Sequence, residues 1–176
     1  MKTIIQIILI GFYLVEVSFI NKGEKSNSSK NVKEGICMIA YGKIQNSGIM
    51  HKKVDFKLYE GNDLVVQGCL NRKNEFEISM YSNQNYVLEI TTPGYLPKRF
   101  LFNTAIPPGI DKLFSFGFEV ELLKEELVKG ADIFSLDFPF ALISYNSENS
   151  EFSFSKKYSE LMKKEEMQAI SYSKGL

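Results

Sequence analysis

Residues 114–122 read Phe-Ser-Phe-Gly-Phe-Glu-Val-Glu-Leu, apolar at every second position and small or acidic between. Successive side chains on a strand point to opposite faces, so this run has one face for a core and one for water. On a helix the same five apolar residues would be scattered around the circumference. The alternation recurs in Val54, Phe56 and Leu58, in Phe76, Ile78 and Met80, and in Tyr86, Leu88 and Ile90. A chain built this way is predicted to be mainly β.

Turn chemistry separates the runs: Asn46-Ser47-Gly48, Gly61-Asn62-Asp63, residues 71–74, Ser82-Asn83-Gln84 and Pro93-Gly94. Short strands at roughly ten-residue spacing with such punctuation indicate an antiparallel sandwich or barrel. Residues 35–123 hold room for seven strands, and no helical period runs through them. If Met38, Ala40 and Ile44 face inward, Cys37 points away from the core. If Leu64, Val66 and Leu70 face inward, Cys69 does too.

Both ends differ from this middle. After Met1-Lys2, residues 3–15 are apolar except for Gln6 and a few small or hydroxyl residues, the pattern of a secretory signal peptide. No good small-x-small cleavage pair follows, so residues 1–20 are read as a signal peptide or an uncleaved N-terminal anchor. In the second case they are the chain's one membrane contact. Residues 21–34 hold a single apolar side chain, Val32, and are read as a flexible tether. At the other end, residues 124–176 are expected to form a tail: a short strand at 140–145, a hairpin, and a helix over about 155–169. Phe154, Tyr158, Leu161 and Met162 recur at helical spacing, a stripe for packing on the sandwich or for docking a partner.

Several segments carry a family likeness. Gly42-Lys43-Ile44 and residues 54–61, Val-Asp-Phe-Lys-Leu-Tyr-Glu-Gly, are similar to the opening strands of the carboxypeptidase regulatory-like, or transthyretin-related, domain. Residues 71–76, then Tyr86-Val87-Leu88-Glu89-Ile90 and Pro93-Gly94-Tyr95, continue the resemblance over residues 35–123. Asn74 stands where that family usually has a turn glycine, and asparagine tolerates the positive φ such a turn requires. The resemblance implies a seven-stranded prealbumin-like sandwich, here with a C-terminal hairpin and helix appended. It also implies an accessory role in exported proteins of the Bacteroidetes type.

Composition excludes several kinds of chemistry. The 21 basic and 21 acidic side chains cancel, removing the long-range field a nucleic-acid binder uses. The single histidine, His51, lies beside two lysines and reads as a loop residue, and no Gly-x-Ser-x-Gly elbow is present. Glu75/Glu77 and Glu119/Glu121 are carboxylate pairs, but alternation places such pairs on the wet side of any half-buried sheet. No calcium loop, phosphate loop or dinucleotide fingerprint occurs. Cys37 and Cys69 are a candidate disulfide in an exported protein, or else two separate small apolar fillers. Tyr41, Tyr59, Tyr81 and Tyr95 are the outward or loop tyrosines, with Tyr95 read as a structural corner.

The expectation is therefore an exported chain, periplasmic or at the cell surface, that is not an enzyme and needs no cofactor or metal. It would serve as an interaction or structural module of the bacterial envelope with a protein partner. The alternative is a glycan- or peptide-binding module using loop ends or a sheet edge.

Overall fold

The computed structural model describes residues 35–45 and 53–175. The signal peptide or anchor, the tether and His51 lie outside the described residues. Seven strands occupy the middle of the chain: β1 (Ile36–Ile44), β2 (Asp55–Glu60), β3 (Asp63–Cys69), β4 (Glu75–Tyr81), β5 (Asn85–Thr91), β6 (Lys98–Asn103) and β7 (Phe114–Val120). Short 3₁₀ turns follow at Glu125–Val128 and Phe134–Asp137, then β8 (Ala141–Asn146), β9 (Glu151–Phe154) and a helix, α1 (Lys156–Ser173).

The strands form two sheets, one ordered β4-β1-β7 and the other β3-β2-β5-β6-β8-β9. Their inner faces meet in one apolar core. Phe118 of the smaller sheet lies 5.1 Å from Phe100 of the larger, and Phe56 stacks on Phe76 at 5.5 Å across the same gap. Rings at these separations add about 0.5–1.5 kcal/mol per pair beyond the area they bury. The alternation of residues 114–122 is realised directly: Phe114, Phe116, Phe118 and Val120 are buried, and the residues between them are exposed.

An all-antiparallel, seven-stranded sandwich is corrected in two respects. β1 pairs with β7 in parallel, and β6 pairs with β8 in parallel. Parallel neighbours need a long crossover, which periodicity along one strand cannot reveal. The strands also number nine among the described residues, because the C-terminal hairpin β8–β9 continues the larger sheet.

The turns follow their chemistry. Gly61, Asn74, Asn83 and Gly94 all have positive φ, so Asn74 does take the left-handed conformation of a turn glycine. Asn71 Oδ1 braces that turn by accepting from the Lys73 and Glu75 amides at 2.9 and 3.0 Å. At Gly42 a glycine is needed for space: the Phe76 ring lies against it, where a Cβ would collide with the ring. Tyr95 is buried at the corner after Gly94, as read from the sequence.

Candidate functional site

The helix comes directly off β9, and its first turn is joined to the sheet where the Ser155 amide donates to Leu142 O at 2.8 Å. It ends where Gly175, at positive φ, turns the chain beyond Lys174. The predicted stripe does not hold together. Met162 is buried and Tyr158 half-buried, but Leu161 is 52% exposed. Phe154 belongs to β9, where its ring meets Phe116 edge-on at 5.1 Å. Adjacent helical residues are turned about 100° from each other, so Leu161 and Met162 cannot share a narrow face. The inward line runs through Met162 and Ala169, and the outer face shows Met167 at 68% and Tyr172 at 69% exposure.

Beneath the helix lies a residue that sequence reasoning passed over. Lys98 opens β6 at an inward position, two before Phe100, and is 8% exposed. Its ammonium donates to Glu121 O at 2.7 Å, meets Glu166 Oε1 of α1 at 2.8 Å, and sits 3.7 Å from the centre of the Phe140 ring. Burial holds Lys98 below the ordinary lysine range, while the Glu166 carboxylate pulls the other way. The signal for it was a lysine in phase with Phe100 and Phe102. The cavity beside it, about 20 Å³ and lined by Leu96, Leu136, Phe140 and Met162, has room for about one water. The arrangement fastens the helix to the sheet and leaves no space for a substrate.

A second cation ties down the segment before β8. Arg99 Nε pairs with Glu89 at 2.8 Å, and its Nη1 donates to Asp137 O at 2.8 Å. The 3₁₀ turn held in this way presents Phe134 and Phe138, 71% and 52% exposed, with ring centres 5.8 Å apart. Large aromatics exposed together are unusual for a surface with no partner.

The two cysteines are free thiols and not a disulfide. They lie on β1 and β3, strands of different sheets. Cys37 is buried, contrary to simple alternation, because the β1–β4 register shifts between Ile36 and Met38 and turns it inward beside Met38. Burial pushes its thiol pKa up. Cys69 faces out as expected, and its Sγ donates to Asp55 Oδ1 at 2.9 Å. That hydrogen bond is the main reason its pKa lies above the usual thiol value.

The outward tyrosines do not gather into one platform. Tyr41 and Tyr81 are exposed on the smaller sheet, Tyr59 is half-buried on the larger, and Tyr95 is in the core. Of the carboxylate pairs, Glu77, Glu119 and Glu121 are exposed, and Glu75 lies 3.6 Å from Lys43. Among the described residues no group of three or more His, Cys, Asp or Glu side chains is placed to hold a metal ion.

No family model matches the chain, and no curated protein matches it. Among solved structures it is similar to the TIE protein of Bacillus anthracis, at 15% identity and a TM-score of 0.40. That match covers 52% of this chain and 18% of the other. It is also similar to the 3-chlorocatechol 1,2-dioxygenase of Rhodococcus opacus 1CP, at 10% identity and a TM-score of 0.38, over 54% of this chain and 62% of that one. The third is the dioxygenase domain of a dioxygenase carbohydrate-binding protein fusion from Streptomyces sp. SirexAA-E. There the identity is 11% and the TM-score 0.32, over 78% of this chain and 91% of that one. Two of the three are dioxygenases, against the expectation that the chain is not an enzyme, and that expectation is not kept. At such scores the likeness carries no reaction over to this chain.

Proposed function

We propose that this chain is an exported β-sandwich that serves as an interaction or structural module of the bacterial cell envelope, engaging a protein partner through the flank beside α1. The observation that carries this reading is the exposed Phe134–Phe138 pair, fixed in place by Arg99. Export rests on the basic start and apolar run of residues 2–15. A prealbumin-like assignment for residues 35–123 is supported by the family motifs and by β4-β1-β7 facing β3-β2-β5-β6.

The test is a photo-crosslinking residue at Phe138, with a control at Lys57 on the outer face of the larger sheet, in intact envelope fractions. A discrete protein adduct at Phe138, absent at Lys57 and lost with Phe134→Ser, is the expected result. Equal adducts at both positions, or none at either, would reject the reading. Saturable retention on a glycan matrix that is unaffected by Phe134→Ser would favour the glycan-binding alternative.

A further inference from the structure

The larger sheet ends in β3, and this edge differs from the others among the described residues. β4 carries Glu75 and Glu77, β7 carries Glu119, and β9 is four residues long and begins with Glu151. Charges and brevity are what keep sheet edges from pairing. β3 begins with Asp63, and residues 64–71, Leu-Val-Val-Gln-Gly-Cys-Leu-Asn, then carry no charge and no proline. Leu64 and Val65 are 47% and 39% exposed, the more so because a register shift between Leu58 and Tyr59 turns Leu64 outward.

The ladder shows which backbone groups are open. The Leu70 amide donates to Val54 O at 3.0 Å, so antiparallel alternation directs Gly68 and Val66 at β2. The N–H and C=O of Gln67 and Cys69 then point away from the sheet. The charges at the two ends of the strand are opposite. Glu60 and Asp63 stand at its start, and Arg72 and Lys73 follow its end, with Asp63, Arg72 and Lys73 exposed. An antiparallel copy of the same strand meets this pattern twice, whereas a parallel copy sets like against like.

We propose that β3 pairs with β3 of a second copy of this chain, antiparallel about a two-fold axis beside Gly68, joining two six-stranded sheets into one. In this register Gln67 of each copy hydrogen-bonds with Cys69 of the other, and Asp63 of each stands at the end of the interface where the turn holding Arg72 and Lys73 of the other lies. Gly68, against which the Phe56 ring of the same chain lies, adds no side chain at the axis. The interface is isologous, so it closes at two copies.

Sedimentation velocity of the full chain over a concentration series tests this, in mild detergent to suppress association through the apolar N-terminal run. A monomer–dimer equilibrium is expected, and Leu64→Lys, at an exposed position, abolishes it with the far-ultraviolet spectrum unchanged. Asp63→Lys weakens dimerisation by about tenfold, and so does Arg72→Glu with Lys73→Glu, because each turns two attractive end contacts into repulsive ones. Mixing these two variants restores the dimer, as a heterodimer, since every end contact between them is attractive. A chain monomeric at all concentrations overturns the proposal, as does a dimer indifferent to Leu64→Lys. Failure of the mixture to recover overturns the antiparallel arrangement.

Discussion

Replacing Glu166 by leucine removes the carboxylate facing Lys98 and leaves an ammonium whose remaining partners are the Glu121 carbonyl and the face of Phe140. Breaking a buried pair from one side costs about 3–5 kcal/mol, because the remaining charge is buried without compensation. The Glu166 side chain is 22% exposed and that of Lys98 only 9%, so some of the pair's field already reaches water. The expected cost is therefore near the lower bound, about 3 kcal/mol. It has a ceiling: Lys98 can lose its proton instead, which at neutral pH costs a lysine of ordinary pKa about 4–5 kcal/mol. For a domain of this size 3 kcal/mol lowers Tm by about 10 °C. Replacing both residues, Lys98→Met with Glu166→Leu, removes the charge together with its partner and should cost less than Glu166→Leu alone.

Because Lys98 titrates below its ordinary 10.5, the unfolded chain binds a proton that the folded chain lacks between the two values. The contribution of Lys98 to stability should rise with pH across that interval, and its penalty is fully present below the folded value. Glu166→Leu takes away the main group that favours the charged form, leaving burial and the Lys163 charge against it and only Glu121 for it, and so extends the interval to lower pH. Lys98→Met should remove this contribution and leave the opposite one from the raised thiol pKa values of Cys37 and Cys69. Urea unfolding of the four chains at several pH values measures all of this. If Glu166→Leu is no worse than the double replacement, or the two single costs simply add, the pair does not fasten the helix.

Two further outcomes follow from local geometry. Gly42→Ala sets a methyl group into the Phe76 ring and should destabilise by about 1–3 kcal/mol in denaturant unfolding, although its backbone conformation suits alanine. Asp55→Ala removes the acceptor and the charge that raise the Cys69 pKa, so alkylation of Cys69 at pH 8 should accelerate about threefold or more, read by mass spectrometry of the labelled peptide.

Much of the fold is written locally. A period of two in residues 54–58, 76–80, 86–90 and 114–122 depends on nothing beyond the strand that contains it, so the inward and outward sets appear in the sequence as they stand in the sheets. Turn residues act over four positions, and Asn74 takes the conformation its side chain allows. The C-terminal strand, hairpin and helix lay near their expected positions for the same reason, with the helix running on to Ser173 before Gly175 stops it.

What depended on partners distant in sequence was not legible. The parallel pairs β1–β7 and β6–β8 are set by which sheets the chain crosses between, and no residue spacing encodes that. Cys37 faces inward because a bulge against β4 interrupts the alternation, and Leu64 faces outward because a bulge against β2 does the same. Lys98 and Glu166 are 68 positions apart, and each looks like an ordinary surface charge until the helix folds back over β6. By itself the sequence determined which residues are strands, where the chain turns and which faces are apolar, because these follow from steric and solvation preferences of neighbouring residues. Pairing order, bulges and the buried ion pair were decided only by the tertiary structure, because their energies arise between segments that meet only once the chain has folded.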